Sequence, residues 1–274
     1  MVIAFSGWND AGEGATGALN HLMNVWSELS PKIHPVLIAD VNPEEFYDFQ
    51  VNRPRVISDE NETRSISWPM TKVYGISLAS LDRDLVVVVG EEPSMRWKSF
   101  TQEILDLADD LDVSMVVTVG SLLADIPHSR PILVGITAAN STTADRFNVE
   151  ISHYEGPTGI LGVIQDGCLR RGIDGVALWA PVPHYASSAP SPKVSLALIH
   201  ALEDLLAISI PQDELELASD AWESEVDNLA REDSEIADYV KALEESKDAM
   251  DIPDISGEMI AKEFERYLRR KSKD

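Results

Sequence analysis

Residues 5–19 read FSGWNDAGEGATGAL. The apolar run Val2–Phe5 leading into them predicts a buried strand. After them, Ala15, Ala18, Leu19, Leu22, Val25, Trp26 and Leu29 recur with the helical period, predicting a helix over 11–29. A strand therefore feeds a helix through a polar turn presenting an indole, an amide and a carboxylate, those of Trp8, Asn9 and Asp10. Asp10 followed by Glu13 has the spacing of an N-cap with its N3 partner. Ligands of open α/β sheets bind at the rim formed by the carboxyl ends of the strands, where such a turn lies.

The same grammar recurs along the chain. His34–Ala39 reads as a second strand, and residues 42–70, rich in Pro, Asn and acids, as an excursion of loops and short strands. Val73–Leu78 is a candidate strand. Leu85–Val89 (LVVVV) is the strongest one, and a continuous β-branched run implies burial on both faces of a largely parallel sheet. Trp97, Phe100, Ile104, Leu107, Ala108 and Leu111 fall on one face of a helix. Met115–Val119 and Ile132–Ile136 read as strands, 156–169 as a glycine-rich helix, and Val176–Ala180 as the last strand. Ser191-Pro192 marks the start of a helix reaching Ile208, with a capping hydroxyl and proline at the first helical position. This order predicts a three-layer α/β/α domain with a mostly parallel sheet over residues 1–211.

A helical extension is expected over 212–274. Residues 212–254 hold 16 Asp or Glu against 3 Lys or Arg, a net of −13. Trp222, Val226, Leu229, Ile236, Val240 and Leu243 step by 4, 3, 7, 4 and 3, a heptad-like seam. It suits either a helical hairpin packed on its own domain or an arm for a partner. Residues 256–270 read as a further amphipathic helix.

Across the 274 residues, 44% are hydrophobic, enough for a substantial core. A net charge of −25 and a pI near 4.4 argue against nucleic acid or an anionic membrane as main partner. No apolar run approaches the roughly eighteen residues of a membrane span, and Met1–Phe5 lacks a basic leader. A single cysteine, Cys168, excludes an internal disulfide and suits a cytoplasmic protein.

Candidate site residues sit in the predicted strand-end loops. Glu91 and Glu92 follow the central strand, with Arg96 and Trp97 one turn on; the carboxylates suit acid–base work, or one can face a helix N-terminus while the other pairs with Arg96. His128, with Arg130 nearby, and His184, beside Tyr185, are candidate general bases, or histidines that fix loop shape. Glu91, Glu92, His128 and His184 are thus the catalytic candidates. Trp8, Asn9, Asp10, Arg96, Trp97, Arg130 and Tyr185 are candidate ligand contacts. Gly12, Gly14 and Gly17 spell G-x-G-x-x-G, with Asp40 ending the next strand as a ribose-binding acid would. Yet Gly7–Ala11 intervenes between strand and glycines, and small residues on a packed helix face account for the pattern equally; no cofactor is assigned. No H-x-x-x-H, C-x-x-C or D-x-D pairing indicates a metal, and neither a G-x-S-x-G elbow nor a P-loop is present.

GWNDAG at 7–12, FYDF at 46–49, RP at 53–54, WP at 68–69, GEEPSMRW at 90–97, PHSRP at 127–131, YEGPTGI at 154–160 and LWAPVPHY at 178–185 with SPK at 191–193 occur together. In this combination, over nearly all of residues 1–208, the chain resembles the actinobacterial branch of the proteasome assembly chaperone 2 family. The resemblance implies an α/β/α fold related to nucleoside phosphorylases and peptidyl hydrolases, homo-oligomers, with a trimer expected, and relatives that bind proteasome subunits. Some relatives carry an older label as ATP-dependent carboligases. Archaeal members can bear a C-terminal hydrophobic-Tyr-any docking motif; this sequence ends RRKSKD. Two functions are therefore expected: a non-catalytic assembly or interaction protein binding itself and another protein complex, or an enzyme acting on a small polar metabolite, hydrolase- or carboligase-like.

Overall fold

The computed structural model describes residues 1–29, 34–59, 62–78 and 83–250; the helix expected over 256–270 lies outside them. In chain order the elements are β1 (Val2–Ser6), α1 (Gly14–Leu29), β2 (Val36–Val41), α2 (Pro43–Phe46), β3 (Arg55–Ser58), β4 (Arg64–Ser67), β5 (Thr71–Ile76) and β6 (Leu85–Glu91). They continue with α3 (Trp97–Asp110), β7 (Met115–Ala124), β8 (Gly135–Ala138), α4 (Ser141–Phe147), β9 (Glu150–Ile151), α5 (Ile160–Arg171), β10 (Asp174–Pro183), α6 (Pro192–Leu206), α7 (Asp213–Glu232) and α8 (Ser234–Met250).

Eight strands form one sheet in the order β2-β5-β6-β1-β7-β10-β8-β9, and β3 and β4 pair separately. The central strands β6, β1, β7 and β10 are parallel. Antiparallel pairings then add β5 and β2 at one side and β8 at the other. The central strands are apolar at consecutive positions because both faces are covered. Val2, Ala4, Leu85, Val87, Val117 and Val119 face α1 and α6, whereas Ile3, Phe5, Val88 and Val116 face α3 and α5. Each fully buried side chain of this kind is worth about 1.5–3 kcal/mol. Phe100 of α3 packs edge-on against Phe5 and Phe46, with centroids 5.6 and 5.3 Å apart. The fold is a three-layer α/β/α sandwich, and no helix among the described residues is long and apolar enough to cross a membrane.

Three differences from the expected elements, and the choice left open for the glycines of α1, have physical causes. First, β7 and β10 do not stop near Val119 and Ala180 but stay paired to Ala124↔Pro183. Gly120 makes room for the Trp179 ring, which a Cβ there would meet at 2.6 Å. The ladder to β7 continues through Pro181 and Pro183, which share one parity. Their missing N–H groups therefore fall on the side that β8, ending opposite Trp179, leaves unpaired. Second, β2 is not the neighbour of β1. Two strands intervene, which puts Asp40 about 14 Å from β1.

Third, Gly14 and Gly17 serve helix packing: a Cβ on Gly14 would meet Val194 at 2.5 Å and one on Gly17 would meet the Ser195 hydroxyl at 2.6 Å. The glycine pattern is thus filled by α6, and with Asp40 two strands away it lacks the geometry of a dinucleotide fingerprint. Fourth, the 222–243 seam is broken at Asp233. Trp222, Val226 and Ala230 of α7 are buried, Leu229 faces solvent, and the shorter α8 buries Val240. Helix α7 lies on α6, and α8 on α7.

Candidate functional site

The turn after β1 is built by the pairing of β1 with β6. Ser6 lies opposite Glu91, so the next residues of both strands meet. Glu92 donates its N–H to the Ser6 carbonyl at 2.9 Å. Its carboxylate then accepts three hydrogen bonds, from Asn9 Nδ2 at 2.6 Å, Ile160 N at 3.1 Å and Trp8 N at 3.3 Å. Ile160 is the first residue of α5, so a negative charge stands at that helix's positive end. Asn9 is buried, and its Oδ1 accepts no hydrogen bond. The carboxamide occupies the place of a side chain on Gly159, where a Cβ would approach Oδ1 to 2.4 Å. The Asn9 carbonyl accepts from Ser121 N at 2.9 Å, tying the turn to β7 as well. Trp8 projects its indole outward, 68% exposed.

Asp10 points back into the fold. Its Oδ1 accepts from Ala15 N at 2.8 Å and Thr16 N at 3.1 Å, and the Thr16 hydroxyl bonds Oδ2. It thus caps α1 one turn beyond the Glu13 position that the capping-box spacing predicts, because a 3-10 turn, Ala11–Glu13, intervenes. Burial raises its carboxyl above the ordinary range, against the opposing hydrogen bonds from Thr16 and Ala15.

Glu91 and Glu92 do not form a dyad, since adjacent residues at this strand end are drawn apart. Glu91 accepts from Asn52 Nδ2 at 2.8 Å, and its carbonyl accepts from the Tyr47 hydroxyl at 2.9 Å. Arg96 pairs with Glu45 over the Phe46 ring rather than with either acid. Trp97 Nε1 donates to the Pro93 carbonyl at 2.6 Å. These contacts fasten the 42–54 excursion to the start of α3.

The remaining predicted residues gather elsewhere, on the β7–β10 arm. β7 and β10 run about 10 Å beyond the Ser121 level at which the β1 turn sits. His128 is buried, its Nδ1 2.7 Å from the Tyr185 hydroxyl and its Nε2 3.1 Å from Asp227 of α7. The Tyr185 hydroxyl also accepts from His128 N at 2.7 Å, and burial pushes its phenol up to about 12. Arg130 makes a two-pronged pair with Asp248 of α8, both bonds 2.8 Å, which raises its already high pKa further. His184 Nδ1 lies 3.2 Å from Asp125, which also accepts from the Tyr239 hydroxyl at 2.9 Å. Lys193 of α6 bonds both the His128 carbonyl and Glu223.

The structure therefore brings Trp8, Asn9 and Glu92 together, seals Asp10 beneath them, and places His128, Arg130, His184 and Tyr185 in a second cluster that clamps α7 and α8. Among the described residues no hydrogen bond or ring contact joins Trp8 or Glu92 to His184. A groove of about 130 Å3 lies between the loop after β7, β10 and α8, beside Pro127, Arg130 and Leu133. Among the described residues no group of three or more His, Cys, Asp or Glu is disposed to hold a metal. The partners Asp125, Asp227 and Asp248, and Glu244 at 3.4 Å from Arg130 Nη1, carry no local sequence signature. The one available signal was electrostatic: a loop bearing His128 and Arg130 in a chain whose acids concentrate in the last helices.

An α/β/α sandwich whose strand-end loops are tied to one another and to an acidic helical pair is the class of protein these features define. The sequence profile of the PAC2 family matches residues 4–230, and the chain belongs to that family. A PAC2 family protein from Streptomyces avermitilis is 45% identical, with a TM-score of 0.79 over 88% of this chain and 98% of its own. A proteasome-assembly chaperone homologue from Mycobacterium tuberculosis is 41% identical, with a TM-score of 0.77 over 87% of this chain and 98% of its own. An archaeal proteasome activator from Pyrococcus furiosus shares the fold at 16% identity, with a TM-score of 0.63 over 83% of this chain and 91% of its own. Among curated proteins none matches the chain.

Proposed function

We propose that the chain is a non-catalytic, homo-oligomeric interaction factor of the proteasome-assembly type, acting in the cytoplasm as a trimer that binds subunits of another protein complex. The observation that carries this reading is how the polar groups at the strand ends are used. Glu92 holds Asn9, Trp8 and α5; Asp10 caps α1; His128 and Arg130 hold the acidic helices. Groups engaged in fixing loops are poor acids and bases for a substrate, because reaction would break the bonds that place them. What they build is a stiff rim that presents Trp8, and stiff aromatic side chains suit protein recognition. The 41% identity to a proteasome-assembly chaperone homologue supports the same reading.

Light scattering of the purified chain, followed by native mass spectrometry after mixing with separately purified proteasome subunits, tests it. A trimer that forms a stoichiometric complex is the expected result. A monomer that captures no subunit overturns it.

A further inference from the structure

Residues 49–58 and 63–78 carry Arg53, Arg55, Arg64 and Lys72 and no carboxylate, in a chain of net charge −25. From this stretch β3 and β4 form a ribbon apart from the main sheet, and every residue of both strands is exposed. Val56 and Ile66 are register partners and share one face, while Ile57 takes the other. The three are 58%, 56% and 50% exposed. A two-stranded ribbon is marginally stable by itself, and this one presents apolar side chains on both sides. The carboxylates of Asp59 and Glu62 lie at its turn.

A second surface has the complementary composition. On α7, Glu214, Leu217, Ala221, Glu225 and Leu229 step by 3, 4, 4 and 4, so they lie along one exposed row that flanks the buried Trp222, Val226 and Ala230 face. Leu217 is 72% exposed and Leu229 61%. Here apolar side chains stand among carboxylates; on the ribbon they stand among guanidinium groups.

Two copies carrying −25 each repel one another except where acids are locally missing, and the ribbon is such a place. The ribbon is inserted in the chain between β2 and β5, whereas α7 is the outer layer over α6. Contact between them across copies joins two different patches, the head-to-tail geometry from which rings are made. Resting on the homo-oligomer reading above, we infer that the β3–β4 ribbon of one copy docks on the exposed row of α7 of a second copy. The Val56–Ile66 face meets Leu217 and carries Arg64 towards Glu214 or Glu225, while Arg55, on the Ile57 face, adds to the positive field of the ribbon.

Charge reversal and its compensation test this. Sedimentation velocity is run on the wild type, on Arg55→Glu/Arg64→Glu, on Glu214→Lys/Glu225→Lys, and on the chain carrying both pairs. Each single-surface variant is expected to associate at least roughly tenfold more weakly than the wild type, because like charges then face each other; the chain with both pairs is expected to recover. Cysteine cross-linking gives a second readout that does not depend on charge, since the single native Cys168 is buried. Mixed Ile66→Cys and Leu217→Cys chains should form a covalent dimer on oxidation, and Ile66→Cys with Leu169→Cys should not. A wild type that is monomeric throughout overturns the oligomer reading together with this contact. A wild-type oligomer insensitive to either reversal, or not restored by the combination, overturns the contact alone, as does equal cross-linking to Leu169→Cys.

Discussion

Glu92→Ala should destabilise the fold, and the structure sets the size of the effect. Removing the carboxylate takes a charge from the N-terminus of α5, a loss of about 0.3–1 kcal/mol. It also strands the buried Asn9 Nδ2, now without its 2.6 Å partner, at about 1–3 kcal/mol. The 3.3 Å bond from Trp8 N is exposed and adds little. The sum is about 1.3–4 kcal/mol. Gly159→Ala probes the same joint from the other side. With φ −92° and ψ −172° the position accepts any residue, so its cost is the contact with Asn9 alone. A Cβ 2.4 Å from Oδ1 should cost about 1–3 kcal/mol through forced displacement. Asn9→Ala removes that obstacle, so Gly159→Ala should cost within about 0.5 kcal/mol of zero in the Asn9→Ala background. Urea unfolding of the single and double variants, followed by tryptophan fluorescence, measures both. A Gly159→Ala cost that is the same in the two backgrounds, or a Glu92→Ala variant as stable as the wild type, would refute the account of the joint.

Asp10→Asn should change how stability depends on acidity. Burial raises the folded-state pKa of Asp10 above its unfolded value, so its proton-linked stabilisation is fully present below about 3.9 and is lost as pH rises through the folded value. Measured against Asp10→Asn by denaturant unfolding, the wild type should lose relative stability as pH rises above that window; a constant difference refutes this. Tyr185→Phe leaves His128 N and Nδ1 without their 2.7 Å partner and should cost about 1–3 kcal/mol. Ultraviolet titration should then show one fewer tyrosine ionising near 12. Trp222→Ala empties the contact of α7 with the body of the fold. It should cost about 3–5 kcal/mol and make α7 and α8 the first targets of limited proteolysis, whereas uniform cleavage would argue against a separate clamp.

Much of the layered fold is legible in residue order, because LVVVV at 85–89 can be apolar at consecutive positions only between two helical layers. The β1 turn is legible too, since Asp10 has the spacing of a capping residue, although a 3-10 turn moves its bonds one turn on, to Ala15 and Thr16. The neighbours of each strand are not. Asp40 looks like a ribose ligand in sequence, and only the insertion of β5 and β6 between β2 and β1 shows that it lies elsewhere. Pairing across dozens of residues leaves no local periodicity to read. The prolines of β10 look like a strand end and are tolerated because its outer side is unpaired there. At the rim, Trp8 meeting Glu92 follows from two strands ending together. His184 is carried away by the extra length of the β7–β10 arm. The hold of Asp227 and Asp248 on His128 and Arg130 reads in sequence only as an acidic run facing a loop with cations.

If the strand-end polar groups serve as joints, small polar metabolites should find no site among them. A thermal-shift screen of the wild type and His184→Ala with nucleotides, nucleosides and amino acids measures this directly. The midpoint of the wild type is expected to stay where it is with every compound, as in the variant. A compound that raises the wild-type midpoint and leaves His184→Ala unmoved would show a working ligand site at the rim and contradict the reading.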